Sequence, residues 1–173
     1  SYFSMGLDIA DINNDGWPDI YTTDMLPEDE YRLRTTSSFE DWATDQVKVR
    51  NGFHHQVMRN MLQLNNRNGT FSDIGQMAGV SRTDWSWSAL AADFDLDGFK
   101  DLYVTNGIAK DVTSQDYVQF LADPRTMASA TSNKGRQVDF KQLIDAMTST
   151  KLVHYAFHNN GNLTFTNEAQ NWG

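Results

Sequence analysis

An aspartate-rich pattern of nine residues occurs twice in this chain, and its spacing constrains the fold more than any other feature. Sliding the sequence on itself by 82 residues lays "SMGLDIADINNDGWPDIYTTD" over "SWSALAADFDLDGFKDLYVTN". Ser4, Ala10, Asp11, Asp15, Gly16, Asp19 and Tyr21 fall on Ser86, Ala92, Asp93, Asp97, Gly98, Asp101 and Tyr103. An offset of 94 gives a second match, "NNRNGTFSDIGQMAGV" over "NNGNLTFTNEAQNWG", in which Asn65, Asn66, Thr70 and Phe71 meet Asn159, Asn160, Thr164 and Phe165. The chain therefore runs loop unit, hairpin unit, loop unit, hairpin unit. Repeats of this kind are elements that stack on their own kind.

Each loop unit has a strand running in ("LDIAD", "ALAAD") and a strand running out ("DIYTT", "DLYVT"). Each hairpin unit has an apolar-alternating strand ("VMRNMLQL", "LVHYAFH"), an Asn/Gly turn, and a second strand opening at Thr70-Phe71 or Thr164-Phe165. The expected fold is mainly β, a partial β-propeller of two to three blade-like antiparallel units, because radial packing hides the edges of such short sheets. Two partly helical insertions, about 25–53 and 108–150, interrupt one propeller domain over 1–173. Ser37 or Ser38 is a plausible helix cap in the first, and helices are expected near Ser114–Leu121 and near Phe140–Met147 after Asp139 in the second. Both insertions leave the repeat just after the strand that follows the Asp-rich loop, so they should project from one face.

Alternate positions of a tight loop aim their oxygens at one point, as calcium requires with its six to eight hard oxygen ligands at about 2.3–2.6 Å. Asp11, Asn13, Asp15 and Asp19 occupy positions 1, 3, 5 and 9 of the first loop, with the carbonyl of Trp17 at position 7 and Gly16 allowing the turn. Asp93, Asp95, Asp97 and Asp101 repeat this in the second loop, with the carbonyl of Phe99 and Gly98. Two calcium sites are therefore expected. Asp, Asn and Gly also build ordinary turns, but carboxylates crowded together twice repel unless a cation lies between them. Magnesium demands a smaller octahedral shell, zinc wants His or Cys, and neither loop contains those residues. An EF-hand needs an acid at position 12 and a following helix, whereas position 12 is Thr22 or Val104 in strand-like sequence.

Seven of the 23 acids lie in these loops, so most of the net charge of -9 is local and would fall to -2 without them. With only 14 scattered Lys and Arg, no nucleic-acid partner is expected. The chain has no cysteine, which excludes disulfides and thiolate sites, and no run of apolar residues long enough to span a bilayer. It opens on Ser1 in sequence that already reads as strand and loop, and is expected to be a fragment of something longer.

At "ADFDLDGFKDLYVTNG" and "LQLNNRNGTFSDIGQMAGV" the chain resembles the FG-GAP/VCBS repeat family, the calcium-loop β-propellers that include the integrin α-subunit head. The match covers about Ser4–Asp24, Gln56–Gly107 and Leu152–Gly173, and the pairing looks most like large bacterial surface proteins that often end in an ASPIC/UnbV domain. The resemblance implies metal loops that rigidify blade edges, an extracellular or cell-surface location, and recognition of a protein or glycan by other loops, with the rest of the propeller chain as a further partner. The two insertions are the first place to look for recognition. No convincing catalytic set is present, so the expectation is a non-enzymatic module in adhesion or recognition.

The alternative is a carbohydrate-active enzyme, such as a polysaccharide lyase on the same propeller, for which Lys100, Lys110 and His158 are the candidate groups. His54, His55, His154 and His158 are otherwise packed or surface residues, His154 and His158 sharing a strand face. Trp85 and Trp87 lie at strand spacing, fit for blade packing or for stacking on a sugar.

Overall fold

Alternating branched and aromatic residues make strands, and Asn, Asp and Gly make the turns between them. The computed structural model describes residues 2–37, 41–132 and 137–172. The strands β1 (Gly6–Ala10) and β2 (Asp19–Thr23) flank the first Asp-rich loop and pair antiparallel, Ala10 opposite Asp19. The next strand, β3 (Met61–Asn65), pairs with β2 and turns back into β4 (Phe71–Asp73), giving a four-stranded sheet in the order β1-β2-β3-β4. The second sheet repeats this with β5 (Ser86–Ala92), β6 (Asp101–Asn106), β9 (Tyr155–Asn159) and β10 (Phe165–Asn167), all antiparallel. The mainly β expectation holds.

Two strands are shorter than their alternation suggests, for traceable reasons. The strand read from "VMRNMLQL" begins only at Met61, because Asn60 is committed elsewhere. Its amide donates to Ser81 O, its Oδ1 accepts from Asp24 N, and its Nδ2 lies within bonding distance of Tyr21 OH, Val80 O and Thr83 Oγ1. The strand read from "LVHYAFH" begins at Tyr155. The Asn106 amide, which would have extended the ladder, donates instead to His154 Nδ1, and Asn106 Nδ2 donates to Val153 O. His154 therefore lies just outside the strand, with its ring against Tyr103 at a centroid distance of 6.1 Å.

The chain divides into two compact units. The first comprises Ser1–Glu28, Glu40–Gly107 and Leu152–Gly173, and holds both sheets. Its core is built from Tyr21 and Leu62 of the first sheet, Ala78 and Val80 of the segment after β4, and Leu102, Val104, Tyr155 and Phe157 of the second. The register places Ala89 beside Val104 and Tyr155, and Ala91 beside Leu102 and Phe157, so one face of the second sheet packs on the Tyr21 face of the first. Burial raises the Tyr21 hydroxyl above its usual range, and that hydroxyl donates to Val80 O. Where β1 and β5 meet, Gly6 comes so close that a Cβ would lie 2.7 Å from Ser88 Cα and 2.8 Å from Trp87 O. In the same unit α2 (Trp42–Arg50) is capped by Asp41, whose side chain accepts from Ala43 N and Thr44 N.

The second unit joins parts of both insertions, Asp29–Phe39 and Ile108–Lys151. It contains α1 (Glu30–Thr36), α3 (Gln115–Ala122), α4 (Pro124–Ala130), α5 (Phe140–Asp145) and the short pair β7 (Thr131–Ser132) and β8 (Gln137–Val138). Buried Asp111 ties it together, pairing with Arg32 Nη1 at 3.1 Å and accepting from Thr150 Oγ1 at 2.8 Å and Thr148 Oγ1 at 3.3 Å. Two of the expected helices form at α3 and α5, the latter with Asp139 accepting from Gln142 N. The expected serine cap does not. Asp29 caps α1 and Ser37 sits at its C-terminal end, while Ser38 lies outside the described residues. An ionised carboxylate at the helix start accepts the free amides and also meets the helix dipole, which a hydroxyl cannot.

Gly6→Ala should destabilise the first unit by about 1–3 kcal/mol, since backbone rather than a flexible side chain occupies the space. Urea denaturation followed by tryptophan fluorescence checks this, and an unchanged midpoint would mean that β1 and β5 separate freely.

Candidate metal centres

The two Asp-rich loops share one framework of backbone-to-carboxylate hydrogen bonds, to which the second adds Asp97 N to Asp95 Oδ1 at 3.2 Å. The first aspartate of each receives two amides of the turn, Asp11 from Asp15 N (3.0 Å) and Gly16 N (2.7 Å), Asp93 from Asp97 N (3.1 Å) and Gly98 N (3.0 Å). The third acceptor position binds the amide after the glycine, Asp15 that of Trp17 (2.9 Å) and Asp97 that of Phe99 (2.8 Å). The last aspartate bridges out of the loop. Asp19 accepts from Ile12 N (3.1 Å) and from Asn65 N in the hairpin (2.8 Å), and Asp101 accepts from Phe94 N and Asn159 N, both at 2.9 Å. Gly16 at φ +87° and Gly98 at φ +97° occupy the left-handed region that the turn requires.

Each of these amide bonds uses one lone pair of its oxygen, so the carboxylates retain acceptor capacity for a cation, except at Asp15 Oδ2, which also accepts from Asn13 Nδ2 and from two nitrogens of Arg67. Asp93, Asp95 and Asp97 each place an oxygen within 4.8 Å of the others. In the first loop the corresponding signal is Asn13, whose Oδ1 is shielded from solvent and has no hydrogen-bond partner, while its Nδ2 donates to Asp15 Oδ2 at 3.0 Å. A buried amide oxygen left without a donor is costly unless something positive meets it. Burial, reinforced by the neighbouring Asp15 and Asp11 charges, pushes the Asp19 carboxyl above its usual range despite two amide donors. The donor sets of both loops thus fit a hard divalent cation. Trp17 and Phe99, the expected carbonyl ligands, follow the glycines on the same turns. The strands β2 and β6 leave the loops where an EF-hand would have a helix.

The loops differ in what approaches from the hairpins. Arg67 reaches Asp15 Oδ2 from Nη2 at 2.7 Å and from Nε at 3.1 Å, and holds the Asp15 carboxyl below its usual range. Its counterpart in the second hairpin is Gly161, so the second loop has four carboxylates and no such guanidinium. There His158 comes in from β9, its Nδ1 2.9 Å from Asp95 Oδ2 and 3.6 Å from Asp101 Oδ1. Asn14 Nδ2 donates to Gly98 O at 2.9 Å, linking one loop to the other.

Arg67 carries no sequence signal as a loop partner, because it occurs in only one copy of the repeat, and His158, also present in one copy, is read from the sequence only as a candidate group of the enzymatic alternative. Asn65 and Asn159 did carry a signal, since they recur at the same place beside the second offset. Of the other candidates, His55 Nδ1 lies 3.2 Å from Asp45, and Lys110 donates to Met147 O. The two tryptophans do not form a matched pair. Trp87 is the extra residue of a bulge between Ser86 and Ser88, half exposed, with its indole donating to Gly107 O, while Trp85 is partly buried.

Residues 49–104, about a third of the chain, match the family model described as an FG-GAP-like repeat. That span runs from the end of α2 through β3, β4 and the second Asp-rich loop into β6. The chain thus carries an FG-GAP-like repeat, in agreement with the resemblance read from its motifs. No curated protein and no solved structure matches the chain. Among the described residues no helix is long and apolar enough to cross a membrane.

Asp101 is fully buried, and Asp101→Ala would orphan the Phe94 and Asn159 amides together. A loss of about 2–5 kcal/mol is expected at 25 °C without any added metal. Chemical denaturation in chelator measures it, and a loss below about 0.5 kcal/mol would show that the bridge is not structural.

Proposed function

We propose that this chain is a calcium-binding repeat module of a β-propeller, in which each Asp-rich loop holds one calcium ion that fastens the loop to its own hairpin. The observation that carries the reading is the duplicated hydrogen-bond pattern around oxygen-rich centres, with an unpartnered amide oxygen in one and three converging carboxylates in the other. Asp11, Asn13, Asp15 and Asp19 would hold one ion, and Asp93, Asp95, Asp97 and Asp101 the other, with the Trp17 and Phe99 carbonyls. Calcium supplies charge neutralisation there and no chemistry of its own.

The propeller reading is supported by how the two sheets stack. The face of the second sheet that meets the first is Ala89, Ala91, Leu102 and Val104, the last two fully buried. The same positions in the first sheet are Leu7, Ile9, Ile20 and Thr22, with Leu7 and Ile9 each 55% exposed. Conversely, buried Tyr21 corresponds to partly exposed Tyr103, and Asp8, which accepts from Ala91 N, corresponds to Leu90 at 50% exposure. Stacking of this kind is head-to-tail, and head-to-tail interfaces repeat until a ring closes. A propeller needs about four to eight such sheets.

Loops of this charge and openness suit the roughly 10⁻⁴–10⁻³ M affinities of extracellular calcium modules. We therefore place the module in an extracellular or cell-surface protein, in recognition or adhesion, with a protein or glycan as ligand and the rest of the propeller chain as its structural partner.

Isothermal calorimetry in calcium after chelator treatment tests the calcium reading. Two equivalents should bind, and calcium at 100-fold over Kd should add about 2.7 kcal/mol of stability per site. No heat and no thermal shift at millimolar calcium would overturn it. The second loop has four acids and the first three, one of them engaged by Arg67, so Asp93→Ala should abolish the tighter of the two binding events and Asp11→Ala the weaker. Equal affinities in the two variants would contradict that ordering.

A further inference from the structure

The imidazole beside the second loop is the feature that a calcium module does not explain. His158 Nδ1 is shielded from solvent and has no hydrogen-bond partner, although Asp95 Oδ2 is only 2.9 Å away and Asp101 Oδ1 3.6 Å. The approach is of ion-pair length without the alignment of a hydrogen bond. An inward-facing nitrogen between two carboxylates, one of them fully buried, is left with an unmet demand. The three donor atoms lie within 4.8 Å of one another. Two donors bound at about 2.1 Å to one ion stand about 3.0 Å apart at a right angle and about 3.4 Å apart at the tetrahedral angle, and the two measured separations lie near these values.

Calcium takes hard oxygens and gains little from imidazole, whereas first-row transition ions bind imidazole and carboxylate together. We propose that the second loop is a mixed nitrogen–oxygen centre, in which Asp95, Asp101 and His158 hold a first-row transition divalent cation of the zinc or manganese type. This rests on the reading of the second loop as a cation site and refines which cations it accepts. The first loop serves as an internal control. At the position equivalent to His158 it has Leu64, so its donors are all oxygen. The centre would let the two loops, alike in backbone, respond to different metals.

The test uses zinc as the affinity probe and manganese as the spectroscopic one, on the whole chain. Calorimetry should show one zinc equivalent bound in the presence of calcium, and His158→Gln should weaken it at least tenfold while changing calcium affinity less than about twofold. Thermal unfolding in calcium checks that the variant folds. Independently of any variant, pulsed EPR of the manganese-loaded protein should show nitrogen hyperfine coupling from imidazole. Zinc binding that is absent or indifferent to His158→Gln, or a manganese spectrum without nitrogen coupling, would overturn the proposal and leave calcium at both loops intact. Zinc that binds and is lost in His158→Gln, with no calcium bound anywhere, would instead uphold this centre and overturn the calcium reading.

Discussion

Everything in the first unit depends on two buried carboxylates, Asp19 and Asp101. Each stands where its Asp-rich loop enters the outgoing strand, and each spends one oxygen on an amide at the start of the loop and the other on an amide in the hairpin. A lone ion buried there would be expensive. The paired amides offset that cost and force the loop, the outgoing strand and the third strand to form together. The remaining acids of each loop gather because that closure brings them round.

The same logic explains why the sheets stack as they do. Ala89 and Ala91, which the second sheet packs against the first, have apolar, exposed equivalents in Leu7 and Ile9 of the first sheet, and buried Tyr21 has a partly exposed equivalent in Tyr103. A sheet that is complete on its own would cover both faces or make one polar. These faces are matched to each other across the repeat, which is how a stacking unit differs from a self-contained sandwich.

Much of this was legible in the sequence, because a loop that must present oxygens at alternate positions leaves a rigid pattern. The strands β2 and β6 follow the loops where "DIYTT" and "DLYVT" place them, and the hairpins turn where the Asn/Gly clusters lie. The losses came from side chains that compete with backbone. Asn60 and His154 each take over hydrogen bonds that strand alternation assigns to a ladder. Asp29 and Asp41 cap helices where serine was expected, and the Trp87 bulge separates two tryptophans that simple alternation puts together. Arg67 reaches Asp15 from 52 residues away in sequence and His158 reaches Asp101 and Asp95 from 57 and 63, and neither belongs to the repeat, so no periodicity could assign them.

The central claim is that the two loops are equivalent cation centres in successive stacked sheets. Anomalous diffraction from crystals grown in calcium tests it most directly. Two anomalous peaks are expected, one among Asp11, Asn13, Asp15 and Asp19 and one among Asp93, Asp95, Asp97 and Asp101. Ordered loops with no anomalous density at either position would contradict the account.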